Sequence, residues 1–189
     1  MPNLTVEERV EKLVEALGSS RRRERQVAAH DIAVEAKEHP QAFEKVMPEL
    51  IEALYCPEAQ TRWEILDALS EIAAVAPDAV SQSYEAAEPS LFDEQSATVR
   101  LSAFHYLTVM GATSPERSEV AWPLIDEAIQ CFHGDPEYRD MLLYLVDFVT
   151  GNISDATRKG LSERVAFDAE NGTGYIKAYS SDILDFCKK

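Results

Sequence analysis

The stretch Arg62-Trp63-Glu64-Ile65-Leu66-Asp67-Ala68-Leu69-Ser70-Glu71-Ile72 decides the fold, because it places Ile65, Leu69 and Ile72 three, seven and ten residues after its arginine. At about 100° per residue those positions share one face of a helix. The pattern recurs. Aligning Arg25, Arg62, Arg100, Arg139 and Lys177 gives intervals of 37, 38, 39 and 38 residues. Three residues after each stand Ala28, Ile65, Ala103, Leu142 and Ser180, and seven after stand Ile32, Leu69, Leu107, Val146 and Leu184. Ten after come Glu35, Ile72, Met110, Val149 and Cys187. Five amphipathic helices therefore share one register, the first and last fitting it least well.

A second type of helix fills the gaps. Val10-Glu11-Lys12-Leu13-Val14-Glu15-Ala16-Leu17 superposes without a gap on Met47-Pro48-Glu49-Leu50-Ile51-Glu52-Ala53-Leu54. Both carry apolar residues at i, i+3, i+4 and i+7. Further second-type helices are expected near Asp78–Asp93, Pro115–Phe132 and Asp155–Glu170. Thr5-x-x-Glu8 reads as a capping box, and Ser114-Pro115 as an N-cap followed by Pro at the first helical position. His39-Pro40, Ala76-Pro77, Gly111 and Gly151 punctuate the inner helices. No period-two alternation between turn signals survives, so no strand is predicted.

Helix pairs repeating at this period bury their apolar faces by stacking on neighbours. The period exceeds that of tetratricopeptide and ankyrin repeats, whose signatures are absent. The chain resembles the HEAT-repeat family from Thr5 to Cys187. That family often has Pro opening the second helix, Asp in the turn and Arg in the next first helix. Pro48 and Arg62 match, while Cys56 holds the Asp place; Glu94 and Arg100 match with a conservative acid, Pro89 is shifted, and Asp135 comes two residues late before Arg139. The resemblance implies an all-α, right-handed α-α superhelix of about four to five helix pairs. One domain covering residues 1–189 is expected.

Charge narrows the functional classes. The chain has 18 basic and 34 acidic residues, a net charge of −16, which opposes unspecific attraction to nucleic acid or anionic membrane. No stretch reads as a membrane span or signal peptide. Cys56, Cys131 and Cys187 are odd in number and form no C-x-x-C, so neither a disulfide framework nor a zinc site is encoded. A cytoplasmic protein is expected. The second-type segments carry −13 of the −16. In the family these helices line the concave surface, so the resemblance implies an acidic inner wall. Candidate partner-binding residues are Glu85, Glu88, Asp93 and Glu94, then Asp126 and Glu127 one repeat on, with Trp122 as an anchor. The partner expected is a protein or peptide with a basic segment; self-association through a terminal repeat is a further expectation, since Ser180 and Ser181 leave the last repeat poorly apolar.

No catalytic, metal or cofactor constellation is present: His30, His39, His105 and His133 fit no H-E-x-x-H or zinc-finger spacing, and no P-loop, G-x-G-x-x-G or G-x-S-x-G occurs. His30, Asp67, His105, Tyr144 and Asp182 form a column five residues after the aligned basic residues, expected on the outer face away from any cleft. Deoxyhypusine hydroxylase, a HEAT-like enzyme, carries repeated His-Glu pairs, which never occur here. The HEAT-like alkylpurine DNA glycosylases use a basic groove, whereas this groove would repel phosphate. Phycobilin lyase subunits share the fold without a diagnostic pattern. The expected function is a noncatalytic scaffold or adaptor, the alternative being a HEAT-like glycosylase or cofactor-attaching lyase subunit. Arg21-Arg22-Arg23-Glu24-Arg25 is the one basic run, at a helix start where the macrodipole disfavours cations.

Overall fold

The structure is a computed structural model that describes residues 4–188. Among these residues there are ten α-helices and no strand. They are α1 (Val6–Leu17), α2 (Arg22–Glu38), α3 (Met47–Ala53), α4 (Ala59–Val75), α5 (Tyr84–Leu91), α6 (Ala97–Gly111), α7 (Pro115–Cys131), α8 (Tyr138–Thr150), α9 (Asp155–Asn171) and α10 (Gly174–Cys187). The even-numbered helices fall on the five first-type segments and the odd-numbered ones on the second-type segments. The chain divides into two compact units, Met1–Tyr106 and Leu107–Lys189, and each is described by itself.

Local chemistry sets the helix starts. Thr5 accepts from the Glu8 N–H at 3.2 Å while Glu8 accepts from the Thr5 N–H at 2.8 Å, so the capping box is reciprocal. Ser114 and Ser154 cap α7 and α9 by accepting from the N–H groups of Arg117 and Thr157. The second-type helix expected at Asp78–Asp93 is shorter, Tyr84–Leu91, and follows a 3₁₀ turn at Ser81–Ser83. The reason lies in a buried side chain. The Val80 carbonyl accepts from the Ser83 N–H, the Ser83 hydroxyl and the Tyr106 hydroxyl, which holds that turn in i→i+3 geometry.

In the first unit α2 packs on α4 and α1 packs on both α2 and α3. Ile32, Leu50, Ile65, Leu66, Leu69, Ile72 and Leu91 have no solvent exposure. The four large side chains that α4 supplies to this core contribute together about 6–12 kcal/mol, before chain entropy is set against them. In the second unit α8 packs on α10, α7 on α9 and α9 on α10, around Leu107, Ile125, Met141, Leu142, Leu145 and Leu161. First-type helices thus stack on first-type helices and second-type on second-type, the arrangement of a helical repeat. The whole column three residues after the aligned basic residues is buried, including Ser180, whose hydroxyl has no partner. Gly151 marks a close approach in the second unit: a Cβ there would lie 2.8 Å from the Ala112 carbonyl, which accepts from the Asn152 N–H.

The aligned arginines have a structural task. Arg25 donates to Glu58, and Arg62 donates to Asp93 at 2.7 Å. Each arginine reaches an acid in the turn leading to the next first-type helix. The resemblance puts the first of these acids at Cys56, but the acid is Glu58, two residues later, buried at the N-cap of α4. Cys56 is half-buried beside it, and burial pushes its thiol up from the ordinary value.

This pairing has a pH signature. The Arg25 hydrogen bond holds the Glu58 carboxyl below its ordinary 4.5 against the pull of burial. At Asp93 burial pushes upward, and hydrogen bonds from Arg62 and the N–H groups of Gln95 and Ser96 outweigh it, so the carboxyl lies below its ordinary 3.8. A folded pKa below the unfolded one means the unfolded chain binds the proton more readily. The stability from these carboxylates is therefore present above the unfolded values and lost as pH falls through the folded ones. Thermal melts followed by circular dichroism between about pH 3 and pH 7 are expected to show Tm falling below about pH 4.5. Glu58→Gln should lower Tm at pH 7 and make the acid-side fall shallower; a curve parallel to the parent's would remove Glu58 from the linkage.

Candidate functional site

On α5 the spacing of Glu85 and Glu88 puts both carboxylates on the face opposite Ala86, Ala87, Ser90 and Leu91, which are buried. Glu85 lies in the first turn, where the helix dipole favours a negative charge. Glu85, Glu88 and Glu94 are exposed and form no ion pair among the described residues. Asp93 differs. It is 12% exposed, accepts from Arg62, and also accepts from the N–H groups of Gln95 and Ser96 at 2.9 and 2.7 Å. The Arg100 guanidinium donates to its carbonyl at 2.7 Å. The charge of Asp93 is thus engaged inside the repeat, joining one first-type helix to the start of the next.

The other candidates lie on α7 in the second unit. Trp122 is half-buried, with its indole laid over Gly160 of α9: a Cβ at Gly160 would sit 2.7 Å from the Trp122 Nε1. Asp126, one turn after Trp122, accepts from Arg164 Nε at 2.6 Å and Nη2 at 2.9 Å, a bidentate pair. It accepts also from Gln130 Nε2 at 3.1 Å. The hydrogen bond to Asp126 raises the Arg164 pKa above its ordinary value. Trp122, Asp126, Gly160, Glu163 and Arg164 together line an open polar cleft of about 330 Å³. Glu127 stands exposed next to Asp126, with no ion pair among the described residues.

Sequence reasoning found Trp122 and Asp126 and missed Gly160, Glu163 and Arg164. Two signals were available. A glycine inside a helical stretch marks a close approach, and Asp126 and Arg164 are 38 residues apart, one repeat.

The column five residues after the aligned basic residues is not wholly outside. His30 is exposed and its Nδ1 lies 3.1 Å from Glu64. Asp67, His105 and Tyr144 are half-buried. Burial pushes the Asp67 carboxyl above its ordinary value, despite a hydrogen bond from Ser102 of α6. The helical wheel missed this because a stacked helix has a neighbour on each side, so its covered arc exceeds the face that points at the core. Trp63 and Leu101 are half-buried for the same reason. His133 pairs with Asp168 at 2.8 Å and lies against the Tyr138 ring, whose centroid is 4.9 Å away. No group of three or more His, Cys, Asp or Glu side chains capable of holding a metal occurs among the described residues. No helix there is long and apolar enough to cross a membrane.

These features define an all-α helical-repeat protein with the armadillo/HEAT-like fold. No protein-family model and no curated protein matches the sequence. Among solved structures, an engineered protein superposes with a TM-score of 0.76 at 17% identity, over 95% of this chain and 79% of that one. A designed armadillo repeat protein gives 0.68 at 14% identity, over 94% of this chain and 81% of the other. A second designed armadillo repeat protein, in complex with the peptide (KR)4, gives 0.70 at 13% identity, over 96% and 86%.

Proposed function

We propose that this chain is a noncatalytic peptide- or protein-binding repeat module that takes basic segments on its second-type helices. The observation that carries the reading is the exposed carboxylates that form no ion pair among the described residues: Glu85, Glu88 and Glu94 in the first unit and, separately, Glu127 in the second. Such carboxylates attract a cationic chain from a distance and hold its side chains at the rim. In the second unit the half-buried Trp122 ring, at the edge of an open polar cleft, offers a lysine or arginine ring–cation attraction. Asp93 and Asp126 are left out of the proposed surface, because their charges already serve Arg62 and Arg164. The similarity to a designed armadillo protein in complex with (KR)4 supports the choice of ligand class. Cysteines free of any disulfide suit a reducing compartment, the cytoplasm.

The test is fluorescence anisotropy with labelled (KR)4 as the probe. Wild type is expected to bind in a salt-sensitive manner. Combining Glu85→Lys, Glu88→Lys and Glu127→Lys should weaken binding by about tenfold or more, because like charges then face the ligand. All three positions are exposed, so the melting curve should change little. Absence of binding by wild type, or equal binding by the triple variant, would end this reading.

A further inference from the structure

The first-type helices meet through a repeated junction. The contacts Arg25–Glu58 and His30–Glu64 advance together along α2 and α4, so the two helices run parallel. At that junction α4 offers its N-cap acid, Glu58, to the arginine of the helix before it. On α2 the corresponding face is open. Leu13 and Ala16 of α1, with Val27 and Ala28 of α2, floor a largely apolar groove of about 420 Å³; Arg21 and Arg23 line it together with Glu24 and, two turns further along α2, Asp31. Val27 and Val34 are 53% and 50% exposed. The N-cap place that Glu58 holds in α4 is held in α2 by Arg21, each four residues ahead of its aligned arginine.

We infer that this groove docks an amphipathic helix of a partner protein, laid parallel to α2, with an Asp or Glu where the internal first-type helices carry arginine. The reversal of charge at the N-cap selects that occupant. Arg21, Arg22 and Arg23 are exposed, and the contact of Arg21 with Glu24 lies in solvent, where such a pair is weak and readily exchanged. An acid in the first half of the incoming helix meets these arginines and suits that helix's own dipole. A second copy stacked end to end would bring Lys177 of α10, the register equivalent of Arg25, against Arg21. Like charges there oppose continued stacking of the chain on itself, so the same residue excludes one partner and favours the other.

The probe is a fluorescein-labelled peptide with the α2 sequence Arg22–Glu38, held helical by a lactam bridge, in its parent form and as Arg25→Glu. Each is titrated with the full chain and followed by anisotropy. The Arg25→Glu peptide should bind wild type about tenfold more tightly than the parent peptide. Arg21→Glu in the protein should invert that preference, and Val27→Asp should abolish binding of both; these residues are exposed, and unchanged circular dichroism would verify folding. Neither substitution should alter (KR)4 binding, which separates this groove from the acidic surface. No saturable binding of the Arg25→Glu peptide, or a preference indifferent to Arg21→Glu, would overturn the inference. Self-association seen by sedimentation and lost in Val27→Asp would also overturn it, by giving the groove to a second copy.

Discussion

Leu69→Asp is expected to unfold the Met1–Tyr106 unit at room temperature. Leu69 has no solvent exposure and lies on α4 among Ile65, Leu66 and Ile72, which are equally buried. Removing the isobutyl group alone costs about 3–5 kcal/mol as lost transfer energy and cavity. The carboxylate adds a desolvation penalty of several kcal/mol that no neighbouring cation offsets. The total reaches the whole stability of a typical domain, about 5–15 kcal/mol. Val75→Asp provides the control, since it makes a charged substitution in the same helix at a side chain that is 49% exposed. Its expected cost is a few tenths of a kcal/mol, from a negative charge in the last helical turn. Circular dichroism and urea titration separate the two outcomes. A Leu69→Asp protein melting with the parent would mean that the register of the repeat is misplaced.

Gly160→Val is the second large effect. A helix normally gains when glycine is replaced, by up to about 1 kcal/mol for alanine. Here the new Cβ meets the Trp122 indole, with Nε1 at 2.7 Å and Cε2 at 3.0 Å. For alanine the gain and the clash nearly cancel. Valine adds two methyl groups to the same space, and overpacking of that kind costs about 1–3 kcal/mol. A net loss of about 1–2 kcal/mol is expected, with the indole displaced from the helix. In a Trp63→Phe background the fluorescence of Trp122 should shift to the red in Gly160→Val and stay near the parent's in Gly160→Ala. (KR)4 affinity should fall in the valine variant, because the displaced ring no longer edges the cleft where a cation would meet it. Unchanged emission in Gly160→Val would show that Trp122 does not lie over Gly160.

The proposed binding surface was only partly readable in the sequence. Glu85 and Glu88 could be placed on an exposed face because an i, i+3 spacing beside buried alanines needs only local geometry. Asp93 has the same composition and the same neighbourhood in sequence, yet its carboxylate serves Arg62, 31 residues away. Asp126 likewise binds Arg164, and Glu58 rather than the residue at position 56 answers Arg25. Charge in a sequence is a number per segment. Whether a given carboxylate faces water or a cation depends on which turn of the next repeat lies over it.

The sequence alone determined the helical class, the period of 37 to 39 residues, the order of the two helix types and the buried column from Ala28 to Ser180. These follow from local physics: an amphipathic helix announces itself within a few turns, and repeated copies announce that they stack. Only the tertiary structure decided which charges are internal links, why Gly160 lacks a side chain, where the Tyr106 hydroxyl holds a 3₁₀ turn, and which face of α2 stays open. The contacts behind them join atoms 26 to 38 residues apart in sequence and within a few ångströms in space, and a distance that short is set by packing, which no periodicity encodes.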